Sequence, residues 1–320
     1  VDRLDDEYQV AVVRGALAAA RELGITLLCV AGGRVRDGDA DGAARNLVFD
    51  LVNAETVSAV AALTSVIGSA RGPAELRGWL QRFAGLPLCC VGVPIRDYVT
   101  IEVDNSSGIR ELVLHLALDH GRNRIAFVRG PAASVEARVR FQAYRDALEE
   151  AGLPYDPRLA VDGDFLKPSG SAAVRTLLED ERLPGRIDAL VAANDYMALG
   201  AMQELWRRHL EVPRDLAVVG FDDVDSARLS HPALTTANQP TEQLGRRGVE
   251  TAFAIAEGRS PLSASLPTQL VLRNSCGCSS VKVAFAGSIR PMASDVEASF
   301  GQQRDVILAE MARAASGRLE

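Results

Sequence analysis

Several chemistries are missing from this sequence. No apolar run among its 320 residues reaches the ~18 needed to cross a bilayer, because Arg, Asp or Gly interrupts every candidate, Ile25–Ala31 included. The opening "VDRLDDEYQ" is acidic and has neither the basic start nor the apolar core of a secretory signal. Excess positive charge is missing too. A formal charge of -7 and a pI near 5.3 give no global attraction to a phosphate backbone, which argues against nucleic-acid binding by this stretch of chain itself. No G-x-x-x-x-G-K-[ST] occurs, and "VAGGRVRDGDADG" (30–42) has glycines without the G-x-G-x-x-G order. No serine sits in a nucleophile elbow, so neither a catalytic set nor a cofactor is expected.

Cysteine is scarce and odd in number: Cys29, Cys89, Cys90, Cys276 and Cys278. Four of the five lie in or beside apolar strand-like runs, which suits buried free thiols in a reducing cytoplasm better than a disulfide framework. Cys276-Gly277-Cys278 could seed a metal site, but no second Cys/His pair at ligand spacing accompanies it along the chain. His115, His120, His209 and His231 are scattered, none four residues from another, and read as structural. No metal is therefore expected.

What is present is an ordinary globular composition, 48% hydrophobic and 24% charged, with length for two domains at ~100–200 residues each. Short apolar runs alternate with longer segments of helical period. The strand candidates are Ile25–Val30, Val57–Leu63, Leu86–Val93, Ile125–Val128, Ala189–Ala192 and Leu216–Gly220. Between them lie helical patterns at Tyr8–Leu23, Ala74–Phe83, Gly108–Leu118, Val135–Ala151, Gly170–Leu178 and Met197–His209. Continuous apolar strands separated by amphipathic helices predict an α/β fold with parallel sheets covered on both faces. After the turn-rich "LTTANQP" (234–240) come one more helix, Thr241–Glu257, a Pro/Ser-rich turn, and the strand-like "TQLVLR" (268–273). A leftover helix and strand suit a chain that returns to its first domain and then crosses back, leaving a cleft between lobes.

Four stretches carry polar groups at strand or helix ends. In "AANDYMALGA" (192–201), Asp195 is placed to cap the following helix, whereas Asn194 reads equally as a cap or a ligand contact. "VVGFDD" ends a strand in Asp222-Asp223, with room for one ligand group and one loop cap. Acid/base catalysis would need a partner at defined separation. "SVEARVRFQAYRDAL" (134–148) sets Arg138 and Arg140 near a helix N-terminus, where the macrodipole disfavours cations, so one of them is better explained by bidentate ligand recognition. Phe165, alone in the polar loop "VDGDFLKPSG" (161–170), is placed to stack on a sugar or base face.

Taken in order, "VDNSSGIRELVLHL", "HGRNRIAFVRGP", "ARVRFQAYRDAL", "DGDF", "AANDYMALGA", "PRDLAVVGFDDVDSARLSHPALTTANQPTEQLGRRGVE" and "LPTQLVLRNSCGC" resemble the ligand-binding core of the lactose-repressor/galactose-repressor family of bacterial regulators. The resemblance covers roughly residues 100 to 278. It implies two Rossmann-like doubly wound lobes joined by three hinge crossovers, a sugar or related metabolite clamped between them, and a homodimer. The first lobe would take 1–120 and 240–266, the second 121–239 and 267–279. Matched position by position, Arg140 resembles the effector-clamping arginine, Asn194 and Asp222 the polar pair on effector hydroxyls, Phe165 the stacking aromatic, and Gln239 a crossover residue near the effector. Asp6, Tyr8, Thr64 and Ser65 fall in loops expected to face the cleft from the first lobe.

Three departures from the family pattern shape the functional expectation. The helix-turn-helix headpiece and hinge helix are not in this stretch, so DNA would be reached only through a domain outside it. The first strand of the first lobe is represented by little more than Val1. The segment 280–320 runs past "RNSCGC", and 294–315 reads either as a surface helix or as a connector to an output domain, as in the input modules of multidomain signalling proteins. The expectation is a cytoplasmic, non-enzymatic effector sensor with no membrane partner. The alternative is a periplasmic sugar-binding receptor of a transporter.

Overall fold

Continuous apolar runs such as "LCCV", "IAFV" and "ALVA" become strands with every residue buried, because helices cover both faces of each sheet. The computed structural model describes residues 1–35, 40–69, 72–180 and 185–278. The expected helix over 294–315 lies outside them. Among the described residues no helix is long and apolar enough to cross a membrane.

The chain enters through α1 (Glu7–Leu23), capped by Asp6, whose carboxylate accepts from the backbone N–H of Gln9. There follow α2 (Ala40–Asn46), β1 (Val60–Leu63), α3 (Thr64–Ile67), α4 (Pro73–Leu80), β2 (Leu88–Val91) and β3 (Val99–Val103). The second lobe holds α5 (Ser107–Leu114), β4 (Ile125–Val128), α6 (Val135–Glu150), β5 (Ala160–Val161), α7 (Lys167–Glu179), β6 (Ala189–Ala192), α8 (Asp195–Arg207), β7 (Ala217–Asp222), α9 (Asp225–Leu229) and β8 (Thr235–Asn238). The chain then returns as α10 (Thr241–Ala256) and β9 (Ala264–Leu266), and ends in β10 (Gln269–Val271). The two sheets run β1-β2-β3-β9, all parallel, and β10-β8-β7-β6-β4-β5, parallel except for β10. The backbone passes between lobes three times: after β3, after β8, and between β9 and β10.

Two expectations change. Helix α5 packs on α6, β7, β8 and β10, so the first crossover lies at Asp104–Ser106, well before the expected boundary at 120. Ile25–Val30 is not a strand. Val1 pairs with Val30 and Gly32 instead, and an apolar slot of about 710 Å³ separates this segment from β1. Strand propensity is present there, but among the described residues the segment joins neither sheet. The Pro/Ser-rich turn holds β9, whose three residues are too few to show a period of two.

Glycines set the closest approaches between helices. A Cβ on Gly15 would stand 1.8 Å from the carbonyl oxygen of Glu242, and one on Gly245 1.8 Å from that of Val12, so α1 and α10 meet backbone to backbone. The second lobe repeats the device. Gly170 and Gly200 bring α7 and α8 together, each with a carbonyl 1.9 Å from where a Cβ would sit.

Candidate functional site

Strands β6 and β7 end side by side at the interlobe cleft, and the residues after them build most of the site. Asp222, the last residue of β7, sits at φ 125°, and Asp223 follows at φ 61°, a backbone path that turns the first carboxylate inward and the second aside. Asp222 accepts a hydrogen bond from Gln239 Nε2 at 2.5 Å and lies 3.8 Å from Arg140 Nη1. Asp223 instead pairs with Arg273 at 2.6 Å and accepts from Asn238 Nδ2 at 3.1 Å, so it orders the loop.

Arg140 is buried on the inner face of α6. Its Nε donates to Asn105 Oδ1 at 2.8 Å, its Nη1 donates to the Ala193 carbonyl at 2.7 Å, and its guanidinium lies 3.9 Å from the Phe221 ring centroid. Asn105 belongs to the first crossover, so this one side chain joins a hinge, the end of β6 and the acidic end of β7. Arg138, exposed, donates to the carbonyls of Ala132 and Ala133 ahead of the helix.

Asn194 is the cap of α8: its Oδ1 accepts from Met197 N at 3.0 Å, and its Nδ2 donates to the Phe165 carbonyl at 3.1 Å. The expected cap, Asp195, is the first helical residue. Its buried carboxylate accepts from Thr236 Oγ1 at 2.6 Å and Val224 N at 3.1 Å, joining α8 to β8 and to the loop after β7.

A cavity of about 90 Å³ lies between the lobes, lined by Asp6, Tyr8, Ser65, Arg140, Phe165, Asn194, Asp222 and Gln239 among the residues expected there. Thr64 does not line it. The Thr64 hydroxyl turns into the fold and donates to the carbonyls of Val91 and Val93. Lining residues outside the expected set include Glu136, Tyr196 and Ser69. Glu136 is one turn before Arg140 on α6, which is the only sequence signal it gives. Among the described residues, Ser69 Oγ and Gln239 Oε1 are buried without a protein partner, so the cavity offers polar atoms that nothing in the fold satisfies.

Burial pushes the carboxyls of Asp222 and Glu136 above the ordinary range, against the pull of Arg140, and burial raises the Tyr8 hydroxyl. Carboxyl, guanidinium, amide and hydroxyl groups thus converge with a half-buried Phe165 ring at φ 69°. The set provides donors, acceptors and an apolar face, as a polyhydroxylated ligand requires. Contacts also cross the cleft: the Glu7 carboxylate accepts from Ser226 N at 2.9 Å and from Ser226 Oγ, and Glu7 N donates to Tyr196 Oη at 3.2 Å.

The family model of a periplasmic binding protein-like domain matches residues 114–276. The chain belongs to this family, in its lactose-repressor/galactose-repressor branch. It is 39% identical over 195 residues to the HTH-type transcriptional regulator CelR of Thermobifida fusca, covering 60% of this chain and 55% of that protein. It is 36% identical over 172 residues to the ribose operon repressor of Escherichia coli, covering 53% and 51%. The solved CelR–cellobiose complex superimposes with a TM-score of 0.72 at 31% identity, over 84% of this chain and 79% of that one. The chain spans about half the length of the curated relatives it matches.

One expectation about metals is overturned in its premise. A second Cys/His pair does accompany Cys276 and Cys278, because the fold brings His115 and His120 to them, and the four ligand atoms lie within 4.8 Å of one another. The chain spacing does not show the pair because α5 ends in a π-helical turn, His115–Asp119, whose wider turn puts positions five apart on one side.

Proposed function

We propose that this chain is the effector-sensing module of a bacterial regulator, taking a small polyhydroxylated metabolite, a sugar or nucleoside, between its lobes. The observation that carries this reading is the interlobe cavity, where Gln239 Oε1 and Ser69 Oγ are buried without partners among the described residues, beside Asp222, Arg140 and Phe165. Effector binding would satisfy those atoms from both lobes at once, which can happen only when the lobes are together, and so shifts the population toward closure. Regulators among the relatives favour this over a transporter receptor. The whole protein would act in the cytoplasm as a homodimer, without catalysis, and reach DNA or a signalling output through a domain outside residues 1–320.

The test is a thermal-shift screen of sugars, nucleosides and amino acids. A ligand at 100 times its Kd stabilises by about 2.7 kcal/mol. A panel in which nothing raises Tm, or a hit whose shift survives Asp222→Asn and Gln239→Ala, would refute the assignment.

A further inference from the structure

Outside the cleft, at the end of α5 and beside the last described residues, two imidazoles and two thiols face one another. His115 Nε2 stands 3.1 Å from His120 Nε2, and Cys278 Sγ stands 3.5 Å from both nitrogens. Cys276 Sγ completes the group, with all four atoms within 4.8 Å. A tetrahedral zinc ion bound at about 2.0–2.1 Å to nitrogen and about 2.3 Å to sulfur holds its ligands about 3.3 Å apart for N to N, about 3.5 Å for N to S and about 3.8 Å for S to S. The nitrogen–nitrogen spacing and both spacings to Cys278 Sγ are close to those edges, and Cys276 Sγ lies within 4.8 Å of the other three atoms.

The surroundings suit the same ion. Asp119 Oδ2 lies 2.7 Å from His115 Nδ1, a carboxylate–histidine pair that holds the proton on Nδ1 and leaves Nε2 with its lone pair turned to the thiols. Thr235 Oγ1 donates to Cys276 Sγ at 3.2 Å, as it would to a thiolate. Gly277 sits at φ 113°, and a Cβ there would lie 3.2 Å from His120 Nδ1. The turn that aims both cysteines at one point therefore requires glycine. Cys276 and His115 are buried, so two thiolates balance a divalent charge where water screens poorly.

We propose that His115, His120, Cys276 and Cys278 form a structural Cys2His2 zinc site. On binding, the two thiols lose their protons to the buffer and the four donors close on the metal; no redox change is involved. The site fastens the segment leading to residue 278 onto the end of α5, the helix that begins at the first crossover. The chain leaving β10 would thereby be anchored to an element rooted in a hinge.

The experiment uses the tag-free 320-residue chain, reduced with a phosphine and freed of metal by chelation. Zinc should bind at one equivalent per chain and raise Tm, and cobalt should give the visible bands of a tetrahedral centre with thiolate charge transfer. X-ray absorption of the zinc-loaded chain should show two sulfur and two nitrogen ligands. Cys278→Ala and His115→Gln should each weaken zinc at least 10-fold, whereas Asp222→Asn, in the cleft, should bind it unchanged. The wild-type spectra decide the matter even if a variant fails to fold. Absence of sulfur ligation in the reduced wild-type chain, sub-stoichiometric zinc, or wild-type zinc affinity in folded Cys278→Ala and His115→Gln variants would overturn the proposal.

Discussion

Gln239 Nε2 donates to Asp222 Oδ1 across 2.5 Å, tying the last residue of β7 to the residue at which the chain leaves β8 for the other lobe. Arg140 makes the matching connection to Asn105 in the first crossover. Two of the polar groups that line the cavity are thus bonded to the segments that must rotate if the lobes separate.

Asp222→Asn keeps an oxygen for Gln239 and removes only the charge. Burial already pushes this carboxyl well above its usual range, so the unliganded Tm should hold or rise. Affinity for any stabilising sugar should nevertheless fall at least 10-fold, about 1.4 kcal/mol, by titration calorimetry. Unchanged affinity would remove Asp222 from the site.

Arg140→Ala should cost stability as well as binding. It strands two buried acceptors, Asn105 Oδ1 and the Ala193 carbonyl, each costing about 1–3 kcal/mol when left without a donor. Urea unfolding reads it directly, and a midpoint equal to that of the wild type would contradict the network described.

Stability should fall as pH rises from about 4 to about 7. Burial, outweighing the hydrogen bonds from Thr236 and Val224, pushes the Asp195 carboxyl up to about 7, whereas in the unfolded chain it titrates near its ordinary value of about 3.9. The folded chain therefore keeps a proton that the unfolded chain releases in that window, so unfolding is favoured as pH climbs and the dependence flattens above it. Asp195→Asn, whose amide can donate to Thr236 and accept from Val224, should reduce the slope in urea midpoints taken at pH 5 and pH 7.5. An unaltered slope would show that Asp195 does not titrate there.

Glu7→Ala removes acceptors for Ser226 that exist only while the lobes are together. The closed population should drop and the apparent Kd rise several-fold, with ligand contacts untouched. Small-angle scattering of the unliganded chain should show a larger radius of gyration than the wild type. Equal radii would mean that this contact does not hold the cleft shut.

Much of the architecture was legible because buried parallel strands are continuous apolar runs, and Leu88–Val91, Ile125–Val128 and Ala189–Ala192 all fall inside the segments read as strands. The site was legible where a polar residue follows such a run, as Asn194 and Asp222 do. Asp195 was misread by one position, since the cap and the first helical residue are both polar and only the backbone angle separates them. Glu136 and Tyr196 could not be found that way, because helical residues facing a cleft carry the same signature as residues facing solvent. The His115/His120 and Cys276/Cys278 cluster depends on a π turn and on a contact between distant parts of the chain, neither of which leaves a periodic trace.

The paired glycines have a mechanical consequence. Where Gly15 and Gly245 press backbone on backbone, α1 and α10 cannot slide past each other without collision, and Gly170 and Gly200 lock α7 to α8 in the same way. Each lobe then turns as a stiff block, and the compliance of the molecule is concentrated in three short ribbons of chain. Helix α10 starts two residues after Gln239, so a tug on that amide is delivered to α1 as a lever delivers force, undiminished by yielding in between.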